Sequence, residues 1–123
     1  MVAMPAAWLG LGAWDYILYP SINRDDVARV MALDALNEVS EIKAKVAHRA
    51  VTSRAAVRFL FVLIVASEVT ATLLLWAGAV SLAVAAFGAM EAETARMIAT
   101  VGTLAFTSVW AAFLIGGQWF YYW

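Results

Sequence analysis

Cysteine is absent from this chain of 123 residues, which excludes disulfides, thiolate catalysis and cysteine-ligated zinc or iron–sulfur centres. Histidine occurs once and there is no glycine-rich phosphate-binding loop, so we predict no enzymatic activity. Charge is also scarce, at 14% of residues with a net charge of −1. The basic residues are interleaved with acidic ones rather than gathered into a patch, and this argues against binding of nucleic acid.

Hydrophobic residues, in contrast, make up 65% of the chain, and the mean hydropathy is +0.83. A soluble domain of this size does not need so much apolar sequence, so the composition indicates an integral membrane protein. We predict an all-α fold in which residues 1–123 form a single membrane domain, a helical bundle with two full transmembrane helices. A short N-terminal membrane helix and an amphipathic connecting helix complete the predicted bundle.

The first apolar segment, residues 4–20, is interrupted only by Asp15. As a helix it reaches about 24 Å, which is short of the ~30 Å hydrocarbon core of a bilayer. A signal peptide is the alternative, but no Lys or Arg precedes the apolar stretch and no cleavage site of small residues follows it. We therefore expect a thinned, tilted or half-inserted membrane helix.

The next segment, residues 21–55, is charged and predicts a surface helix with a connector. Ser21 or Asn23 is positioned to cap this helix, and apolar residues recur behind them near helical spacing. One face would then lie on the membrane or on a partner, and a solvated connector is the alternative. The basic residues expected to contact lipid headgroups or a partner are Lys43, Lys45, Arg49, Arg54 and Arg58.

Two further apolar segments are each long enough to cross a bilayer, residues 57–88 and residues 97–117. The turn "GAMEAETARM" between them is short, so the two helices are predicted to pack antiparallel. Residues 118–123 then form an aromatic tail, and amphipathic rings of this kind prefer the headgroup level. The residues of this predicted interfacial anchor are Trp119, Phe120, Tyr121, Tyr122 and Trp123.

Glu68 is the one carboxylate in the apolar run of residues 59–80. A charge at the centre of a membrane helix costs about 2.5–3.5 kcal/mol on insertion scales, so this residue should face protein or water, or be neutral. We expect its partner to come from another segment or subunit, because Arg58 lies about 15 Å away along the same helix. The candidates for helix packing or proton relay are Glu68, Ser67, Thr72 and Gly78, together with Asp15 on the first segment.

His48, the single histidine, is a weak candidate for a cofactor ligand, since imidazole can bind haem iron or a chlorophyll magnesium. One histidine just outside a span and followed by an arginine is more typical of an interfacial position. We therefore predict no cofactor, and a bound lipid or pigment is the alternative.

Three stretches carry a resemblance to a known family: "HRAVTSRAAVRFLFVLIVASEVTATLLLWAGAV", "FLIGGQWFYYW" and "VARVMALD". In them the sequence resembles the bacterial predicted small integral membrane proteins of the DUF2165 family. The resemblance implies a membrane helical bundle with no assigned activity. Members are typically longer, with a complete first span and a further helix after the tryptophan-rich turn, so we expect this chain to be shortened at both ends. It also has His48 where the family has an aromatic residue, and Gln118 where an acid is common.

Seven of the eight basic residues lie within residues 24–58. The positive-inside rule therefore places this loop in the cytoplasm and the turn at residues 91–93 outside. A family arrangement with a basic N-terminus and four spans would place the loop outside, but acidic residues count little in the rule and we favour the loop inside. We predict a multi-pass protein of the bacterial inner membrane.

Two functions from different classes fit these features. The first is a small non-catalytic accessory subunit that packs against a larger membrane complex, respiratory or photosynthetic, and stabilises it or helps assemble it. The alternative is a small proton-conducting or transport unit that oligomerises around Glu68. One carboxylate and no internal repeat offer few groups for a transport pathway, so the sequence favours the accessory subunit. Its predicted partners are the larger complex and membrane lipids.

Overall fold

The computed structural model describes residues 1–122, and all regular structure within that range is helical. The predicted all-α fold is confirmed. The α-helices are α1 (Ala3–Leu18), α2 (Pro20–Met31), α3 (Ser40–Val46), α4 (Arg54–Ala86) and α5 (Ala92–Trp119), and two short 3-10 helices, Asp34–Leu36 and Ala47–Arg49, lie between them.

Within the described residues, α4 and α5 are the two helices long and apolar enough to cross a membrane. α4 has 33 residues, about 50 Å of helix, and the Oγ of Ser53 caps its start by accepting a hydrogen bond from the N–H of Ala56 at 3.4 Å. α5 has 28 residues and begins at Ala92, ahead of the predicted residues 97–117. The stretch before its apolar run consists mostly of helix-forming residues, so the helix extends past the apolar part.

α4 and α5 form an antiparallel hairpin, and two glycines lie in its interface. A Cβ atom on Gly78 would lie 2.6 Å from the Cα of Ala99, and one on Gly102 would lie 2.7 Å from the carbonyl oxygen of Leu74. Carbon atoms do not approach backbone that closely, so only glycine allows the two helices to pack at this distance. The turn between the helices begins with Gly88 at φ 75°, a conformation that favours glycine.

α1 packs along α4 beside α5 and runs antiparallel to α4. Gly10 of α1 faces Thr72, and Tyr16, further along α1, meets Phe61 edge-on with ring centroids 6.1 Å apart. With 16 residues α1 is about 24 Å long, so it covers only part of α4. A buried apolar cluster joins the three helices and comprises Ala6, Leu9, Ala71, Leu75 and Val109.

Tyr19 separates α1 from α2, and Pro20 is the first residue of α2. Proline lacks the N–H that would continue α1, and its backbone suits the first position of a helix. The predicted capping of α2 by Ser21 or Asn23 is wrong, because both residues lie inside α2 and no side chain caps it. The Nδ2 of Asn23 instead donates to the carbonyl oxygen of Tyr19 and to Oδ2 of Asp15, each at 3.0 Å.

Residues 21–55 form short helices and turns instead of one continuous surface helix. After α2, the fully buried Leu33 has φ 60° and redirects the chain into the first 3-10 helix. The backbone N–H of Val51 donates to the carbonyl oxygen of Met31 at 2.9 Å. This bond ties the end of the segment back to α2 just before α4 begins, so the charged segment is folded against the start of α4.

Candidate functional site

Glu68 lies on the buried face of α4 and is only 3% exposed. The buried residues that share this face recur at three- or four-residue spacing through Ala71, Leu75, Gly78 and Ser81. The Oε2 of Glu68 lies 3.5 Å from the position that a Cβ on Gly12 of α1 would take. The carboxyl group therefore packs against α1, and the missing side chain of Gly12 leaves room for it.

Three buried polar atoms at the contact of α1, α4 and α5 have no hydrogen-bond partner within residues 1–122. They are Oε2 of Glu68, Oγ1 of Thr72 and Nε1 of Trp110. None of the ion pairs in the described part of the chain includes Glu68. Leaving a buried polar atom unpaired costs roughly 1–3 kcal/mol, so these groups lower the stability of the bundle where they lie. The buried polar groups without partners make this contact the candidate site.

A groove of about 1100 Å³ lies beside Glu68, and α1, α2, α4 and α5 all contribute to its walls. Its lining is mostly apolar. The Oγ of Ser67 lines the groove too but donates to the carbonyl oxygen of Ile64 at 2.8 Å, so it does not pair with Glu68. Asp26 of α2 lines the same groove, which therefore joins the charged segment to the buried carboxyl group.

Aromatic rings from α1 and α5 form one wall of this groove. Trp8 stacks on Trp110 with ring centroids 5.0 Å apart and planes 14° from parallel, and Phe113 meets Trp110 edge-on at 5.9 Å. Stacked and edge-on pairs of this kind contribute beyond the area they bury. The rings enclose the Trp110 indole, which explains why its Nε1 is buried without a partner.

The other packing and relay candidates lie in separate places. Asp15 is exposed at the end of α1 and accepts its hydrogen bond from Asn23, so the structure does not pair it with Glu68. Thr72 faces Gly10 of α1. Gly78 lies ten residues beyond Glu68, about 15 Å along α4, in the contact with α5.

His48 is exposed in the second 3-10 helix, within the charged segment. Across residues 1–122 no group of three or more His, Cys, Asp or Glu side chains is placed to hold a metal ion. His48 therefore has no neighbouring ligand set around it in the described chain.

The five predicted headgroup contacts divide into distinct environments. Lys43 pairs with Asp34 at 3.6 Å, and Lys45 is exposed. The guanidinium carbon of Arg49 lies 4.8 Å from the ring centroid of Trp119 and 5.4 Å from that of Tyr121. Arg54 and Arg58 are exposed at the start of α4, where they line a second, smaller cleft with Arg24 of α2.

The aromatic tail lies at the end of the bundle that carries the charged segment. Trp119 is the last residue of α5, and the chain then folds back so that the N–H of Tyr122 donates to the carbonyl oxygen of Gly117 at 2.9 Å. The contact with Arg49 joins this tail to the charged segment. Phe120 is half-buried, and the predicted anchor residue Trp123 lies outside the described residues.

Two features of the site were missed from the sequence. The stack of Trp8 on Trp110 joins positions far apart in the chain, and no local pattern marks it. Arg24 was not among the predicted contacts, although it lies in the same basic segment. The small residues Gly10 and Gly12 were the one available signal, because small residues in an apolar segment indicate close approach of another helix.

Comparisons with known proteins give one match. The model of a family described as predicted small integral membrane protein, DUF2165, matches residues 1–123. No curated protein and no solved structure matches the chain. The resemblance read from the sequence is thereby confirmed, and the chain belongs to the DUF2165 family of predicted small integral membrane proteins.

Proposed function

We propose that this chain is a small non-catalytic accessory subunit that packs against a larger membrane complex and stabilises it or helps assemble it. The observation that carries the proposal is the composition of one exposed face of α5. Thr100, Thr103 and Thr107 are spaced by three and four residues and are all exposed. Ala111 continues the same face, and the exposed Leu114 then ends its small profile.

The hydroxyl groups on this face are already satisfied by their own helix. Thr103 donates to the carbonyl oxygen of Ala99, and Thr107 donates to that of Thr103, each at 2.9 Å. From Thr100 to Ala111 the face is therefore small in profile, and its hydroxyl groups have no free donor, so the backbone of another helix can approach closely. Contacts of this kind drive association between membrane helices, where the hydrophobic effect is absent.

The exposed face of α4 supplies the contrast. It carries large apolar residues, among them Phe59, Leu73 and Trp76, which are 67%, 65% and 43% exposed. Bulky side chains of this kind suit contact with lipid chains, since they keep a neighbouring helix at a distance. α5 also exposes large residues, such as Leu104 at 62% and Ile115 at 71%, so the contrast is confined to the stretch from Thr100 to Ala111. That stretch supports α5, rather than α4, as the helix that meets the larger complex.

The test is co-purification of the tagged full chain from native membranes in a mild detergent. The expected result is one set of larger subunits at constant ratio through two separation steps. The double variant Thr103→Leu/Thr107→Leu fills the small face and should reduce the retained subunits at least about tenfold, a loss of roughly 1.4 kcal/mol or more.

The matched control is Met97→Leu/Val101→Leu, which changes two exposed positions of the same helix at the same four-residue spacing. It should keep the larger subunits. Equal loss in both double variants would assign the effect to the helix as a whole, and retention in both would remove the α5 face from the proposal.

A proton-conducting or transport unit is the second candidate, and the unpaired Oε2 of Glu68 beside the groove with Asp26 is the observation that favours it. The next buried residues on the face of Glu68 are Ala71 and Leu75, which are apolar and offer no further group for proton transfer. Glu68→Gln discriminates between the candidates. If the variant assembles normally but the complex loses its activity, proton transfer through Glu68 is favoured. If both assembly and the activity of the complex are unchanged, the accessory subunit is favoured.

The proposal includes a multi-pass arrangement in the bacterial inner membrane, with α4 and α5 as spans and the charged segment in the cytoplasm. Six of the eight basic residues precede α4 or begin it, which supports this orientation under the positive-inside rule. Single cysteines at Lys45 and Ala89 test it, since the chain has no cysteine of its own. A membrane-impermeant thiol reagent applied to intact spheroplasts should label position 89 and leave position 45 unlabelled, and the reverse pattern would invert the orientation.

A further inference from the structure

A cleft of about 480 Å³ lies between α2 and the start of α4, at the end of the bundle that carries the charged segment. Three arginines line it, Arg24 from α2 and Arg54 and Arg58 from α4, with one carboxylate, that of Asp25. Small residues, apolar except for Thr52, line the remainder of the cleft. The cleft is therefore a concave surface with an excess of positive charge.

The positive charges in this cleft are poorly neutralised by the protein. Asp25 pairs with Arg24 at 3.9 Å, and both side chains are substantially exposed. Within residues 1–122 no ion pair includes Arg54 or Arg58. Two guanidinium groups thus lie in the cleft without a carboxylate partner, and guanidinium is the group best suited to bidentate hydrogen bonding with a phosphate.

The position of these two arginines in α4 adds a second unfavourable electrostatic interaction. Arg54 is the first residue of α4 and Arg58 follows four residues later, so two like charges are neighbours on one helix face. They lie at the positive end of the helix dipole, and the first turn contains no acidic residue. An anion bound between them would relieve both the repulsion and the unfavourable interaction with the dipole.

The backbone holds the cleft in shape. The bond from the N–H of Val51 to the carbonyl oxygen of Met31 fixes the approach to α4 against the end of α2. Ser53 then caps α4 immediately before Arg54. Because these bonds set the separation of α2 and α4, the three arginines are brought together by the fold and not by their side chains alone.

The chemistry of the adjoining surface identifies the class of anion. On the same helix face as Arg58 and four residues beyond it, α4 exposes Val62. A ligand that fits both surfaces carries a phosphate at one end and apolar chains at the other. We propose that this cleft binds the headgroup of an anionic phospholipid, with Arg24, Arg54 and Arg58 on the phosphate and the acyl chains along Val62 and the apolar surface of α4 that follows it.

The test uses the purified full chain in detergent, to which phosphatidylglycerol, phosphatidylcholine or inorganic phosphate is added, with native mass spectrometry and thermal unfolding as readouts. Phosphatidylglycerol should remain bound and raise the Tm, because it supplies both the phosphate and the chains. Phosphatidylcholine, which has no net charge, should bind at least about tenfold more weakly. Equal stabilisation by inorganic phosphate would identify a free-anion site and overturn the lipid proposal.

The variant Arg54→Gln/Arg58→Gln should weaken phosphatidylglycerol binding about tenfold or more, since two charge-assisted contacts are lost. The matched control Arg29→Gln/Lys45→Gln removes the same charge from exposed positions outside the cleft and should change binding less than about twofold. Equal loss in both would indicate attraction by overall charge and overturn the site. Arg54→Lys/Arg58→Lys keeps the charge but removes the guanidinium fork. If the glutamine variant does not fold, weaker phosphatidylglycerol binding by the lysine variant supports the site, and unchanged binding overturns the role of the guanidinium groups.

Discussion

The two most extensive helix contacts of α4, with α5 and with α1, are built in opposite ways. Its contact with α5 is close and apolar, with the backbone of Leu74 directly opposite Gly102. Its contact with α1 contains Glu68 and Thr72, each with a buried oxygen that has no partner within residues 1–122. A groove of about 1100 Å³ borders the second contact.

The two contacts are therefore expected to contribute differently to the stability of the bundle. Residues that only hold helices together are expected to be small or apolar and fully packed, as they are between α4 and α5. Polar groups that lack partners reduce stability, so they are expected where a protein does something besides folding. We therefore assign the main stabilising role within the bundle to the α4–α5 contact, while the α1–α4 contact carries the unpaired polar groups.

The largest effect is expected at the α4–α5 contact. Gly102→Ala places a Cβ 2.7 Å from the carbonyl oxygen of Leu74, so the helices must separate. We expect a loss of about 1–3 kcal/mol in the free energy of unfolding, measured by denaturant titration in mixed micelles. Gly116→Ala is the control, because no atom lies within 4 Å of its added Cβ. If both variants lose stability equally, the close contact is not what holds the hairpin.

The α1–α4 contact should respond in the opposite direction. Glu68→Met replaces a buried group that has an unpaired oxygen with a flexible apolar side chain, so we expect the free energy of unfolding to rise by about 1–2 kcal/mol. The same denaturant titration measures it, with Glu68→Gln as the polar control that should change stability little. A fall in stability for Glu68→Met would mean that the carboxyl group contributes to packing, and the contrast between the two contacts would disappear.

A smaller gain is expected from Thr72→Val, which removes the unpaired Oγ1 and keeps the branched shape. The expected increase is up to about 1 kcal/mol, since a buried hydroxyl without a partner is replaced by a methyl group. Thr107→Val is the matched control, because that hydroxyl donates to the carbonyl oxygen of Thr103. The comparison fails if the two valine variants have the same stability.

The smallest effect is expected from Gly12→Ala. Its added Cβ would lie 3.5 Å from Oε2 of Glu68, an ordinary contact distance, so α1 need not move. We expect a change below about 0.5 kcal/mol, against the larger loss for the same substitution at Gly102. Thermal unfolding of the two variants side by side checks this, and a loss of similar size at both positions would show that α1 is packed as closely as α5.

Much of this architecture could be predicted from the sequence, because a helix that crosses a bilayer must be long and apolar whatever it packs against. The length of α1 and the antiparallel arrangement of α4 and α5 follow from segment length and a short turn. The pairing of Gly102 with Leu74 could not be predicted, since it depends on how both helices are rotated and shifted against each other.

Side-chain partners at the site were harder to foresee for the same reason. Asparagine often caps helices, but α2 already begins at Pro20. The side-chain amide of Asn23 instead donates to the carbonyl oxygen of Tyr19, just after α1. Glu68 was singled out because charge is rare in such a segment, whereas Arg24 was overlooked because charge is common in its own. Composition therefore marks an unusual residue only against its local background.

The contact of Arg49 with Trp119 has a consequence for the order of events during synthesis. The two residues are 70 positions apart (119 minus 49), and α4 and most of α5 lie between them. At about 5–20 residues per second, translation reaches Trp119 roughly 4–14 seconds after Arg49. During that interval the guanidinium group lacks both of its aromatic neighbours and remains available to the translocation machinery and to lipid phosphates. In the arrangement proposed above, the charged segment would therefore hold the chain on one side of the membrane first, and it would reach its final arrangement only after both long helices had inserted.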